Sequence, residues 1–515
     1  LKKKMNFKNS KPYLNKIDNS SVYDVAEVSP LEKAHILTKS TKNRVYLKRE
    51  DLQPVFSFKL RGAYNKISKL QEKDATNGVI AASAGNHAQG VAYAAKKLGI
   101  NSTIVMPTTT PEIKVNSVRR LGAKIVLEGD SFDEAYQYAK NLAKKDQLTF
   151  IHPYDDPLVI AGQGTIGKEI LESNLKNIDS VFVPVGGGGL LAGIGAYIKE
   201  KNPKIRVIGV EPEDAACLRA ALDANRRVTL DEVGLFVDGV AVKQVGKIPY
   251  SIIREWVDDV VTVSVDEICA AVKDIFEETR SLVEPAGALS LAGLKKYVRS
   301  RGLKNKNLVA INSGANINLD RLSHIVERVQ LGEKSEVLFS VKIPEQRGSF
   351  RKFCLDLGKR MITEFNYRVD KADEAHIFVA CKISKGIKEK TSLFKNLRKK
   401  GYSPIDLSEN ELAKIHIKHM VGGRAPEKTI EKGESIFRVE FPERPGALMD
   451  FLTTLGDRWN ITLFHYRNQG SAQGRVLIGF QVSDEDKNNL THYLQKTGFP
   501  FWDESSNKAY TTFLE

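Results

Sequence analysis

Ser180-Val181-Phe182-Val183-Pro184-Val185-Gly186-Gly187-Gly188-Gly189-Leu190 decides the fold. Its first residues read as a buried strand, and four consecutive glycines follow. Glycine lets the backbone bend and approach closely, and successive N–H groups at a helix start wrap an anion such as phosphate. The spacing is not the GxGxxG dinucleotide fingerprint, and the lysine and hydroxyl residue of a P-loop are missing. Taken alone, the stretch also reads as a tight strand-to-helix turn. The uncharged run Val181–Ile198 is as long as a membrane span. Pro184 and the glycine block break a helix there, so no span is expected.

Outward from this stretch, from about residue 45 to 315, short apolar runs alternate with helical patterns. Val79–Ala82, Ser102–Met106, Lys124–Leu127, Val207–Val210 and Leu308–Ile311 read as further buried strands. Gly90–Leu98 and Asp133–Lys144 read as amphipathic helices between them. This alternation predicts an α/β fold, with parallel sheets covered by helices and ligands bound where strands end and helices begin.

Three more segments fall at such ends. In Ser57-Phe58-Lys59-Leu60-Arg61-Gly62-Ala63, a lysine sits beside apolar residues at a helix start. Burial and the positive helix end both disfavour its ammonium form and leave a nucleophilic amine; most lysines, however, are solvated surface groups. Ser83-Ala84-Gly85-Asn86-His87 offers N–H groups to a carboxylate, although Ser83 and Asn86 read equally as helix caps. His87 reads as a packed helix residue rather than a base. Ser313 follows the strand Leu308–Ile311, again as a cap or as a hydroxyl facing a ring nitrogen.

Composition limits the alternatives. With 515 residues, 42% apolar and 27% charged, the chain fits a globular protein of two or three domains. Its four cysteines are far apart, which predicts neither disulfides nor a CxxC metal site and fits the cytoplasm. The net charge is +15, but basic residues are interleaved with acids and form no stripe with aromatics. A solvated surface is the better reading, and no nucleic-acid partner is expected. The start Leu1-Lys2-Lys3-Lys4 precedes Met5, an alternative first residue, and no apolar signal segment follows.

Beyond about residue 325 the chain repeats itself. Phe339-Ser-Val-Lys-Ile-Pro-Glu-Gln-Arg-Gly-Ser-Phe350 matches Phe437-Arg-Val-Glu-Phe-Pro-Glu-Arg-Pro-Gly-Ala-Leu448, 98 residues on. Ile362-Thr-Glu-Phe-Asn-Tyr-Arg368 matches Ile461-Thr-Leu-Phe-His-Tyr-Arg467, 99 residues on. Each copy reads as an alternating strand, a Pro/Gly turn, a helix and a second strand. Two copies of one α+β unit are expected, over residues 337–410 and 434–515, behind a neck at 326–336.

The segments SFKLRGA, SAGNHAQG, VPVGGGGLLAG, EPAGA (Glu284–Ala288) and NSGANIN, in this order, closely resemble the tryptophan-synthase-β family of pyridoxal-phosphate (PLP) enzymes, fold type II. Within it they resemble the threonine and serine dehydratases, over about residues 20–325. The resemblance implies a catalytic domain at 1–325 with two parallel-sheet subdomains. It implies PLP as cofactor, joined to Lys59, with Gly186, Gly187, Gly188, Gly189 and Leu190 around its phosphate. Asn86 would contact the ring hydroxyl and Ser313 the pyridine nitrogen. Ser83, Ala84, Gly85, Asn86 and His87 would take the substrate carboxylate, with Glu284 in support.

The implied reaction removes water and ammonia from L-threonine to give 2-oxobutanoate, with Lys59 taking the Cα proton; L-serine is the alternative substrate. Ala84 stands where related racemases carry a second serine base, which favours lysis over racemisation. Cys217 stands where those relatives place the last acidic ligand after a Gly209-Val210-Glu211-Pro212 segment, so no metal is expected. The repeated unit resembles the ACT-like regulatory domain of long, feedback-controlled dehydratases that begin isoleucine synthesis. Isoleucine would then inhibit, valine would oppose it, and the chain would be a homotetramer. Asn366, Tyr367, His465 and Tyr466, followed by Arg368 and Arg467, are the candidate effector residues. A different reading makes the tail an amino-acid sensor on an inactive catalytic domain.

Overall fold

The computed structural model describes residues 11–514 except 333–334, 359, 370–373, 385, 416, 424–432, 443–446, 457 and 468–472. The alternative start at Met5 and the Pro/Gly turn of the second repeat lie outside the described residues. The chain divides into two compact units, Leu1–Gly332 and Glu333–Glu515.

In the first unit, β1 (Leu31–Ala34) and β2 (Arg44–Arg49) begin a sheet that the chain then leaves. It builds β3 (Val79–Ala82), β4 (Ser102–Met106), β5 (Lys124–Leu127) and β6 (Thr149–Phe150), a separate parallel sheet in the order β5-β4-β3-β6. It returns with β7 (Ile178–Pro184), β8 (Arg206–Pro212), β9 (Asp259–Val263) and β10 (Asn307–Asn312). These complete the larger sheet, ordered β1-β2-β10-β7-β8-β9, parallel except for β1. Helices cover both its faces. Val181, Val183 and Val185 share a core with Ile160, Ile166 and Leu191 of the helices Pro157–Glu172 and Gly189–Lys201. Phe182, Ile208 and Val210 share another with Leu289 and Leu291 of the helix Pro285–Arg301. Two covered faces explain why these strands read as unbroken apolar runs, each buried side chain contributing about 1.5–3 kcal/mol.

One expectation is corrected. Lys124–Leu127 is a strand, but both its end residues are exposed, because β5 is the edge of the small sheet. The stretch 326–336, expected as the neck, overlaps two regular elements. A helix runs Arg321–Gly332, Ile325 and Val329 are buried in the core behind β2 and β10, and β11 (Glu336–Pro344) has begun by Glu336.

In the second unit, β11, β12 (Ile362–Arg368), β13 (Glu374–Lys382) and β14 (Ile405–Asp406) form the first repeat. The second comprises β15 (Glu434–Pro442), β16 (Asn460–Arg467), β17 (Gln473–Gln481) and β18 (Phe501–Asp503). The helices Ser349–Leu357 and Ala447–Leu455 follow β11 and β15 at equivalent places. All eight strands join one antiparallel sheet, ordered β14-β11-β13-β12-β16-β17-β15-β18. The repeats meet at the β12–β16 seam, where Asn366 pairs with His465. These two residues are each other's counterparts in the repeat, so a local two-fold relates the copies through this pair. One core, containing Phe339, Phe353, Phe365, Phe451, Phe464 and Phe480, spans both copies.

Candidate functional site

Lys59 opens the helix Lys59–Ile67 at the end of a loop that follows β2. Phe56 in that loop has φ 56°, strained for a bulky side chain. The turn after β10 holds it there. Ala315 N–H donates to the Phe56 carbonyl (2.8 Å), Asn316 Nδ2 to the Val55 carbonyl (2.8 Å), and Phe58 N–H to the Ser313 carbonyl (3.3 Å). Arg61, fully buried two residues on, donates to Glu50 (2.8 Å) and Glu169 (2.6 Å), and Lys48 also reaches Glu169 (2.6 Å). This compensated cluster fixes the helix that carries Lys59. Lys59 Nζ donates to the Pro153 carbonyl at 3.4 Å. Burial lowers its pKa to about 8, against the opposing pull of Glu284. Its amine is therefore partly neutral near physiological pH.

The helix Asn86–Lys97 crosses the start of the Lys59 helix. A Cβ on Gly90 would lie 3.0 Å from the Lys59 carbonyl carbon, so the close crossing needs a glycine. Asn86 Nδ2 donates to Glu284 Oε1 (2.6 Å), and Asn316 Nδ2 donates to Asn86 Oδ1 (2.7 Å). Three distant segments thus close one chain of hydrogen bonds. Burial, with Asp238 adding to it, pushes the Glu284 carboxyl up to about 7. Asp238 itself pairs with Lys114 (2.5 Å) and lies 3.6 Å from Arg321. Ser83 Oγ accepts from Gly85 N–H (3.2 Å), and Ala84 packs against the core of the small sheet. His87 Nε2 meets the Ile151 carbonyl (2.8 Å); burial and Lys59 lower its pKa to about 3, so it is neutral.

The glycine loop leaves β7 with Gly188 at φ +89° and opens the helix Gly189–Lys201. A Cβ on Gly187 would fall 2.2 Å from the Tyr154 ring, and one on Gly186 would fall 2.9 Å from Val240 Cα. The Gly187 carbonyl accepts from Gly246 N–H (3.0 Å), and Leu190 is buried. The wall opposite is Ile151–Pro157, which the sequence reading passed over. Its Pro153 touches Lys59 and its Tyr154 covers Gly187. Asp155 accepts from Lys247 and Ile248 N–H (3.0 and 2.8 Å), and Asp156 caps the helix Pro157–Glu172. The Asp156-Pro157 pair, a cap followed by proline at N1, was the available signal.

Ser313 Oγ donates to the Ala286 carbonyl (3.1 Å). Nearby, the Ser57 hydroxyl and both polar atoms of the Asn312 side chain are buried without a hydrogen-bond partner among the described residues. A glycine cradle at a helix start, a lysine of lowered pKa and buried polar groups still to be satisfied fit a phosphate-bearing aldehyde cofactor. Glu211 accepts from Leu218 and Arg219 N–H (2.7 and 2.8 Å) and so caps the helix Cys217–Asp223, while Cys217 Sγ reaches the Gly186 carbonyl (3.6 Å).

In the second unit, Asn366 and His465 face each other across the seam. Tyr367 Oη is held by Glu345 (2.9 Å) and the Ile461 carbonyl (3.1 Å). Of the four candidate effector residues, Tyr466 lines a small hollow of about 30 Å³. Phe365, Phe441, Leu448 and Met449 line it too, with Arg360 among its polar groups.

Residues 22–314 match the family model described as pyridoxal-phosphate dependent enzyme, and residues 327–417 and 427–514 match that of the C-terminal regulatory domain of threonine dehydratase. The chain is 49% identical over 508 residues to a biosynthetic L-threonine dehydratase of Burkholderia multivorans, covering 98% of this chain and 99% of that protein. It is 48% identical to the Escherichia coli protein of the same description, over 98% and 97% of the two chains. Among solved structures, a processed threonine deaminase isoform 2 of Solanum lycopersicum aligns with TM-score 0.62 at 49% identity, over 62% of this chain and 88% of that one. The chemistry of the pocket and the family of its relatives point the same way.

Proposed function

Because the chain belongs to the biosynthetic threonine dehydratases, enzymes dependent on pyridoxal phosphate, we propose that Lys59 carries the cofactor and is the base that removes the threonine Cα proton. The overall reaction converts L-threonine to 2-oxobutanoate and ammonia for isoleucine synthesis. The observation that carries the Lys59 assignment is its burial at a helix start, with a pKa lowered to about 8 and the glycine loop and the Asn86–Glu284 pair assembled around it. When bound, the cofactor supplies an electron sink for charge developing at the substrate Cα.

Gly186 to Leu190 would hold its phosphate with backbone N–H groups, and Tyr154 and Val240 leave no room for a side chain at Gly186 or Gly187. Asn86, oriented at its oxygen by Asn316 and at its nitrogen by Glu284, keeps a second N–H to donate to the ring hydroxyl. Ser313 would turn its hydroxyl from the Ala286 carbonyl to the ring nitrogen, and a hydroxyl in place of a carboxylate would leave that nitrogen largely unprotonated. The N–H groups of Ser83 to His87, at the start of a helix, take the substrate carboxylate. With Ala84 in that loop and the pKa of His87 lowered to about 3, too weak a base for the step, Lys59 is the base left to the reaction. Serine is a second substrate; one methyl group separates the two by about 1–3 kcal/mol. Lys59→Ala should abolish keto-acid release from threonine and the visible absorbance of the lysine–cofactor bond. A variant retaining both would refute the assignment.

Residues 337–410 and 434–515 serve regulation in this reading, isoleucine inhibiting and valine opposing it, in a cytoplasmic homotetramer. Four free, buried cysteines support a reducing compartment. An inhibitor must bind the inactive state better than the active one. Isoleucine should therefore raise the threonine concentration needed for half-maximal keto-acid release. An unchanged saturation curve would reject the feedback role and leave the chemistry standing.

A further inference from the structure

We propose that His152 is a positioning residue for Lys59 and the glycine loop: its imidazole sets the turn that offers the Pro153 carbonyl to Lys59 and holds Tyr154 against the loop. This rests on the reading of Lys59 as the cofactor lysine. His152 follows β6, where the chain leaves the small sheet for the helix Pro157–Glu172. Its Nδ1 accepts two backbone N–H groups, from Tyr154 (3.2 Å) and Asp155 (2.8 Å). Neither N–H donates to a backbone carbonyl among the described residues. The ring therefore supplies the acceptor that the backbone of this turn does not.

The first of these bonds reaches Lys59 through one peptide plane. A trans peptide holds its C=O and its N–H in opposite directions. The Pro153 carbonyl and the Tyr154 N–H belong to the same plane. Fixing that N–H on His152 aims the carbonyl the other way, where it accepts from Lys59 Nζ at 3.4 Å.

The same bond anchors Tyr154, whose ring also stands edge-on to the imidazole, with 4.7 Å between centroids. Held there, Tyr154 closes on three glycines of the pocket wall. A Cβ on Gly187 would fall 2.2 Å from its ring, one on Gly189 3.0 Å from its carbonyl oxygen, and one on Gly246 3.0 Å from its ring. The second bond fixes Asp155, which accepts from the first N–H groups of the helix Lys247–Trp256. Two donors on Nδ1 place the ring proton on Nε2. Burial lowers the His152 pKa to about 4, against the opposing pull of Asp155 and Asp156, so the ring stays a neutral acceptor at physiological pH.

Titration of pyridoxal phosphate into the full-length, cofactor-free protein tests this. The visible absorbance of the lysine–cofactor bond reports binding, and thermal melts confirm that each variant is folded. His152→Ala removes the acceptor and should weaken binding at least tenfold. His152→Phe keeps an aromatic ring without the acceptor and should weaken it as much; His152→Ala carries the test alone should the larger ring fail to fold. His152→Asn keeps a side-chain oxygen that accepts an N–H two residues on, and should bind within threefold of wild type. His152→Asn binding no better than His152→Ala, whether both bind well or both poorly, would overturn the proposal, as would wild-type affinity in His152→Phe. A wild-type protein that develops no such absorbance would overturn the Lys59 reading itself.

Discussion

Glu284 forms no ion pair among the described residues, and it accepts from Asn86 in the pocket we propose for the cofactor. Burial raises its carboxyl from 4.5 to about 7. A raised acid favours folding in its protonated form. That contribution is complete below about 4.5 and is lost as the pH climbs through 7, on the order of 3 kcal/mol in all. Urea midpoints of the cofactor-free protein should fall over this window. Glu284→Gln, neutral throughout and able to accept from Asn86, should flatten the fall; an identical pH slope in both proteins would contradict the assignment. The sequence singles out Lys59, Asn86 and Ser313 because each stands in a short segment whose chemistry is local. It could not single out Asn316 or Tyr154. Their roles exist because segments some 230 and 30 residues away meet them in space, and no local pattern records that meeting.

At the level of elements, the glycine loop is constrained from both sides. Gly188 needs a left-handed backbone, and Gly187 needs the absence of a side chain against Tyr154. Gly187→Ala should reduce the affinity of the cofactor-free protein for pyridoxal phosphate at least tenfold, read from its absorbance on titration. Unaltered affinity would mean that Tyr154 yields easily and does not shape the cradle. Strands were legible where helices cover both faces, as at Val181–Pro184. At Lys124–Leu127 the same kind of run lies at a sheet edge, and apolar character alone cannot tell a covered face from an open one. The helix Arg321–Gly332 falls partly within the stretch expected as the neck. Ile325 and Val329, four residues apart, are the stripe that docks it.

Over the whole molecule, the division after Gly332 leaves each unit with its own sheets and cores. A chain ending at Gly332 should retain threonine turnover within a few-fold and lose its response to isoleucine, as keto-acid release with and without isoleucine would show. Loss of all turnover in a folded truncation would mean that the tail supports the chemistry directly. The duplication in the tail was readable from two matched segments, but their pairing into one sheet was not, since a repeat specifies a unit and not how two units join. That joining has a consequence for assembly. The β12–β16 seam joins strands of seven and eight residues, paired from Glu364 to Arg368, whereas the outermost strands β14 and β18 have two and three residues. A repeat on its own would expose its longest unpaired edge, the kind that recruits another strand. Because the seam register is self-complementary about Asn366 and His465, two chains could trade repeats and remake every contact within the sheet. What keeps the exchange rare is the tether: a covalent connection holds the native partner at millimolar effective concentration, far above that of any neighbouring molecule.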